Sequence, residues 1–256
     1  MKKSLFFGLF IVCAVCLLNC TRREPIGNLA QLAGKVFALP TGTMADQLVL
    51  SRFPDAKFLY YNSVMDACLA VLKGKADAAA YDEPILKNIA AKNPGLKVLS
   101  EMITTDQYGF AVQRGNITLK EQIDSVLVTL RKTGAYEKML ARWLPAEGEP
   151  LPMPRIEFAN NGVLRLGTAA VTEPFSYIDA NQNVVGLDIE IASLVAQRLG
   201  VKLEIVNMDF GAMIPALISG KVDMIGACIT ISEERAKSVL FSMPYYTGGI
   251  AALVKE

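Results

Sequence analysis

From Val222 to Arg235 the chain reads VDMIGACITISEER, a short stretch dense in groups that could hold a small anion. An apolar strand passes through Gly226 and Ala227 to Thr230 and Ser232, and Glu233, Glu234 and Arg235 follow. Ser232 is an N-cap residue by type, and two glutamates in a first turn suit the helix dipole. Backbone N–H groups at such a turn, the Thr230 hydroxyl and a guanidinium one turn into the helix could replace the water around a carboxylate. Arginine would do so through two parallel hydrogen bonds. The alternative is a surface arginine paired with Glu233 or Glu234, which would contribute little. Histidine is absent from the chain, so Ser-His and Cys-His mechanisms are excluded and the commonest transition-metal ligand is missing. Neither an enzyme activity nor a cofactor or metal is expected. With 26 basic against 25 acidic side chains, nothing in the charge points to nucleic acid.

The elements that must position these groups follow from apolar periodicity. The 256 residues, 52% of them hydrophobic, supply core for two lobes. Strands are predicted at Lys35–Leu39, Lys57–Tyr61, Ala76–Tyr81, Leu96–Leu99 and Tyr108–Val112, with helices between the first four. That alternation predicts a parallel α/β sheet. Two amphipathic helices follow, one with Leu119, Ile123, Val126, Leu127 and Leu130 on a face, the other with Tyr136, Met139, Leu140 and Trp143. Residues 146–155, rich in proline, read as an extended linker. Beyond it come strands at Leu164–Gly167 and Leu203–Val206, a helix carrying Leu187, Ile191, Leu194, Val195 and Leu199, and a last apolar strand, Ile250–Val254.

A repeat spans the linker. LAVLKGKAD (Leu69–Asp77) and PALISGKVD (Pro215–Asp223) both read as helix, glycine stop, lysine, strand and aspartate. Two lobes on one βαβ plan should place ligands beyond the carboxyl ends of their strands. Those ends are Tyr81-Asp82 in one half and Cys228–Thr230 in the other. A carboxylate facing an arginine suits a zwitterion, because a buried ammonium and a buried carboxylate each need a counter-charge.

At the N-terminus Lys2 and Lys3 precede an apolar run from Leu5 to Leu18, too short for comfortable spanning, and polar residues follow. Residues 1–20 therefore read as a secretory leader. Leu17-Leu18-Asn19-Cys20 resembles a lipoprotein lipobox, with Cys20 the lipidated residue that anchors the mature chain to a membrane; the alternative is cleavage nearby with Cys20 incidental. Cys13 and Cys16 would leave with the leader. A disulfide between the remaining Cys68 and Cys228 is open but not indicated.

The residues GTAAVTEPFSYID, VVGLDIEIASLVAQRLGVKLEIVN and DFGAMIPALISGKVDMIGACITISEERAKSVLFSMPYYTGGIAALVK resemble family 3 of the bacterial extracellular solute-binding proteins, the amino-acid receptors of ABC importers. LAGKVFALPTGT, FPDAKFLYYNS, ADAAAYDEP, TTDQYGFAVQRGN and TGAYEKMLARWL are similar to the remainder of that family, but here they come first. The resemblance implies a two-lobed periplasmic-binding-protein-like α/β fold of type II in circularly permuted order. Its parts would be a small lobe at 26–112, helices returning to the large lobe at 113–145, the linker at 146–155 and the large lobe at 156–256. One covalent crossover would remain, near Phe110–Arg114. The alternative is a piece of a tandem array whose halves complete a neighbour.

Carried over by position, Arg235 would bind the ligand α-carboxylate with help from Thr230, and Asp82 the α-ammonium. Gly42 and Thr43 would add N–H groups and a hydroxyl, while Phe210 would flank the ligand side chain. Cys228, where Gly or Ser is usual, and Tyr81 belong to the same candidate set. Ala169, Thr172 and Met44 depart from the family pattern, whereas Phe175 and Tyr177 are expected in the core. The implied function is a periplasmic or cell-surface lipoprotein that closes on a polar amino acid and presents it to an ABC permease. Two alternatives are a sensing or assembly module and a dehydratase-like enzyme using Glu173 as general acid.

Overall fold

The two repeated segments fold identically at the level of individual hydrogen bonds. Gly74 and Gly220 take left-handed conformations (φ 69° and 73°) that end their helices, a geometry glycine adopts without steric cost. Asp77 Oδ2 then accepts from the Val36 N–H at 2.9 Å, and Asp223 Oδ2 from the Arg165 N–H at 2.8 Å. Each aspartate ties its strand to the start of the neighbouring one, so the LAVLKGKAD and PALISGKVD motifs each set the register of a βαβ unit.

The structure, a computed structural model, describes residues 25–145 and 150–256. The leader read at 1–20, with Cys20, lies outside the described residues, as do residues 146–149 of the linker. The first half runs β1 (Val36–Pro40), α1 (Ala45–Arg52), β2 (Lys57–Tyr61), α2 (Val64–Leu72), β3 (Ala78–Asp82), α3 (Glu83–Lys92), β4 (Leu96–Val98), β5 (Asp106–Tyr108) and β6 (Ala111–Gln113). Helices α4 (Ile117–Lys132) and α5 (Ala135–Trp143) follow. The second half runs β7 (Val163–Thr168), β8 (Val171–Thr172), β9 (Ser176–Ile178), β10 (Val184–Val185), α6 (Leu187–Leu199), β11 (Lys202–Asn207), α7 (Met213–Ile218) and β12 (Met224–Ile225). It ends with α8 (Glu233–Ala236), β13 (Val239–Phe241), β14 (Tyr246–Gly248) and β15 (Ile250–Lys255).

Two mixed sheets result, ordered β2-β1-β3-β15-β4 in the small lobe and β11-β7-β12-β6-β13 in the large one. The βα runs make the parallel pairs that periodicity predicts, β1 with β2 and β3, and β7 with β11 and β12. A strand from the opposite half enters each sheet antiparallel: β15 between β3 and β4, and β6 between β12 and β13. This differs from the expected boundaries at 112 and 156–256 and from a single crossover. The small-lobe sheet takes in β15, the large-lobe sheet takes in β6, and the chain crosses twice, through β5 and β14, which pair as a two-stranded ribbon. The physical reason is burial. Ile250–Val254 is buried at five successive positions, which suits a central strand, but a run of apolar residues carries no signal of which sheet will take it. The strand expected at Tyr108–Val112 is divided between the ribbon and the large lobe for the same reason.

Both helix stripes are core. Leu119, Ile123, Val126, Leu127 and Leu130 of α4, and Tyr136, Met139 and Trp143 of α5, are buried, and α4 packs along α6. Trp143 Nε1 donates to Glu190 Oε2 on α6 at 2.6 Å. Cys68 and Cys228 are both buried and free, so no disulfide joins them. No helix among the described residues is long and apolar enough to cross a membrane.

Candidate functional site

Each half contributes to the site through the ends of its strands. In the small lobe the turn after β1 carries Gly42 and Thr43, and β3 ends in Tyr81 and Asp82. In the large lobe a single 3-10 turn, Phe210–Ala212, carries Phe210, and the segment after β12 carries Cys228, Thr230 and Arg235. That segment is held against the crossing strand β5: Gly109 N–H donates to Ile229 C=O at 3.1 Å and Ile231 N–H to Gln107 C=O at 2.8 Å. Ser232 caps α8, its hydroxyl accepting from the Arg235 N–H at 3.2 Å. The cap turns the Arg235 side chain back along the segment. Its Nη1 donates to Thr230 C=O at 3.1 Å, and the guanidinium lies 5.5 Å from the centre of the Phe210 ring. Arg235 forms no ion pair with Glu233 or Glu234; Glu234 instead lies 3.5 Å from the Gln47 amide of the small lobe.

Thr43, Tyr81, Asp82, Phe210, Cys228, Thr230 and Arg235 line one cavity of about 10 Å³, on the scale of a single water. Thr43, Tyr81 and Phe210 also line the adjoining cleft of about 1000 Å³ between the lobes, together with Gly42. Ala169 and Thr172 line it as well. The lobes touch at its floor, where a Cβ built on Gly42 would stand 2.9 Å from Gly211 Cα. The Thr43 hydroxyl donates to Pro40 C=O at 3.1 Å and accepts from the Ala45 N–H at 3.3 Å, so it stabilises its own turn. Phe175 is fully buried, with its edge toward Tyr108 and Tyr246; Tyr177 is half-buried, its ring edge-on to Trp143.

Asp82 is 5% exposed. Tyr108 Oη donates to its Oδ1, and the Cys228 thiol lies 3.7 Å from its Oδ2, so each carboxylate oxygen has a neighbour that can donate. Burial raises its pKa to about 7, and the Tyr108 and Cys228 hydrogen bonds and the Arg235 charge offset this only in part. Burial likewise pulls the Arg235 pKa down from its usual value. One group in this assembly was missed from sequence. Asp188, in the first turn of α6, is wholly buried and accepts from the Cys228 N–H at 2.9 Å, holding that residue at φ 45°. Its other oxygen has no hydrogen-bond partner among the described residues; the buried Tyr245 hydroxyl faces the same carboxylate without completing a bond. A signal was present: Asp188 falls three and seven residues before Ile191 and Val195, on the apolar stripe of its helix. Glu173, the alternative general acid, accepts twice from Lys92 Nζ, each time at 2.9 Å, so an ammonium already neutralises it.

Residues 164–256 match the model for bacterial extracellular solute-binding proteins, family 3. Residues 16–148, slightly more than half the chain, match the model for the ABC transporter, phosphonate, periplasmic substrate-binding protein. Among individual relatives, the arginine-binding extracellular protein ArtP of Bacillus subtilis is 42% identical over 93 residues, 36% of either chain. The L-cystine-binding protein TcyJ of Escherichia coli is 35% identical over 95 residues, 37% of this chain and 36% of its own. The glutamine-binding protein GlnH of Bacillus subtilis is 28% identical over 127 residues, 48% of this chain and 46% of its own. The chain thus spans between about a third and a half of the length of these curated relatives. A solved structure of truncated, arginine-bound ArgBP from T. maritima is 47% identical over 33% of this chain and 40% of its own, with a TM-score of 0.33. With the second model covering more than half of it, the chain belongs to the periplasmic substrate-binding proteins of ABC transporters, and residues 164–256, which carry Arg235, match family 3 of the bacterial extracellular solute-binding proteins.

Proposed function

We propose that this protein is an extracytoplasmic receptor that closes its two lobes on a polar amino acid and delivers it to an ABC permease, without catalysing a reaction. One observation carries the reading: Asp82 from the small lobe and Arg235 from the large lobe line the same cavity. A zwitterion offers an ammonium to one wall and a carboxylate to the other, so it binds the closed arrangement better than the open one and shifts the population toward it. The relatives named for arginine, cystine and glutamine support the amino-acid class. Secretion through the leader at 1–20 and anchoring through a lipid on Cys20 belong to the same proposal.

We also read the chain as a circularly permuted receptor whose two halves build one cleft within a single chain. In support, each sheet is completed by a strand from the other half, and Ile26, Leu29 and Leu32 share one apolar cluster with Ile250, Ala252 and Val254. The matched phosphonate-binding model favours a second reading, a phosphonate ligand. Calorimetric titration of the refolded chain against amino acids and 2-aminoethylphosphonate, with molecular mass measured in the same buffer, separates these. One amino acid bound per monomer is the expected result. Binding only by a dimer would overturn the single-chain reading, and binding of the phosphonate alone would overturn the amino-acid reading.

A further inference from the structure

The cleft carries an imbalance of charge that bears on the ligand. Among the described residues, Arg235 is the one cationic side chain lining either the inner cavity or the cleft. Against it stand Asp82 in the cavity wall and Asp209 on the wall of the larger cleft. Asp209 is exposed there, and its carboxylate makes no hydrogen bond or ion pair among the described residues. Lys92 does not redress the balance, because Glu173 already pairs with it. A neutral zwitterion satisfies Asp82 and Arg235 and leaves Asp209 uncompensated as the lobes close and water leaves. An acidic side chain would add to the excess and find no unpaired cation among the described lining residues.

The route out of the inner cavity fits this imbalance. Thr43, Tyr81 and Phe210 line both spaces, so a side chain leaving the anchored end passes among them into the cleft. Asp209 directly precedes Phe210 in the chain, and the other described residues lining the cleft carry no ionised side chain. We propose, resting on the amino-acid-receptor reading above, that the ligand is an L-amino acid with a long cationic side chain, and that Asp209 is the residue that selects it. The phenol of Tyr81 and the face of Phe210 suit the stem of such a side chain, and the carboxylate of Asp209 its charged end.

The test is a comparison of L-arginine with L-citrulline, which has the same length and nearly the same shape but no charge. Each is titrated into the purified chain and into its Asp209→Asn variant, with L-glutamine and L-glutamate as further ligands. Arginine should bind at least tenfold more tightly than citrulline, glutamate should not compete, and Asp209→Asn should bring the arginine-to-citrulline ratio below threefold. Citrulline binding of the variant shows that it is folded; if it is lost, thermal melting of the variant decides whether folding failed, and Asp209→Ser is then measured in its place. Citrulline or glutamate binding as tightly as arginine would overturn the cationic preference while leaving the receptor reading standing. A ratio unchanged in the folded variant would remove Asp209 as the selecting residue. Failure of every amino acid to bind would instead overturn the receptor reading itself.

Discussion

Arg235 owes its geometry to three neighbours: the Ser232 cap that starts its helix, the Thr230 carbonyl that accepts its Nη1 and the Phe210 ring beneath it. Removing it would strand the α-carboxylate of a ligand in a desolvated wall. Arg235→Ala is therefore expected to cost ~2–5 kcal/mol of ligand binding. A loss smaller than threefold in a calorimetric titration would take Arg235 out of the site. Asp188 makes a different prediction, about stability. Unfolded aspartate titrates near ~3.9. Burial raises Asp188 to about 7 in the folded protein, against the partial opposition of Tyr245 and the Cys228 N–H. The folded state thus holds this proton over a range where the unfolded chain has released it. Its contribution to stability is fully present below the unfolded value and is lost as pH rises through the folded one. Thermal melting should show Asp188→Asn less sensitive to pH between about 4 and 7 than the parent protein, since the amide stays neutral and still offers an oxygen to Cys228. A parallel pair of melting curves across that range would mean that Asp188 does not change its charge there.

At the scale of elements, the lock between α5 and α6 joins the end of the first half to the second. Trp143 is 1% exposed and its indole N–H meets Glu190, itself 4% exposed, while Arg142 Nε lies 3.3 Å from the same oxygen, off the line of a hydrogen bond. Burial raises the Glu190 pKa, and the indole and guanidinium oppose that rise. Trp143→Phe keeps most of the apolar packing but leaves this carboxylate without its best donor. The expected cost is ~1–3 kcal/mol, read as a lower denaturant midpoint with an unchanged slope. The stripe containing Trp143 was legible as a buried face from its spacing alone. Its hydrogen bond was not, because Glu190 lies 47 residues further along the chain, on a helix whose packing partner no local pattern specifies.

At the scale of the whole molecule, the ribbon of β5 and β14 carries the chain between lobes that meet at Gly42 and Gly211. Gly42 has φ 76°, which costs an L-residue ~1–2 kcal/mol, and a methyl there would also press on the opposite backbone. Gly42→Ala is expected to weaken ligand binding by about tenfold or more by opposing closure. Unchanged affinity in the folded variant would show that the lobes bind ligand without this approach. The Lys92–Glu173 pair also joins the lobes, but both side chains remain in contact with water, and such pairs are worth ~0.2–1 kcal/mol.

The sequence by itself determined the local units: the repeated helix, glycine, lysine and aspartate plan, the stripes of α4 and α5, the strand end that carries Asp82, and the Ser232 cap of the turn that carries Arg235. These follow from interactions within a few residues or from one periodic face, and they survive any larger arrangement. Tertiary structure alone decided that Ile250–Lys255 and Ala111–Gln113 each enter the sheet of the opposite half, and that Asp188 sits buried behind Cys228. An apolar strand can satisfy its hydrogen bonds in any sheet that offers an open slot, and an aspartate can be solvated or buried according to what covers it. Those choices depend on partners dozens to more than a hundred residues away, so no local pattern in the sequence records them.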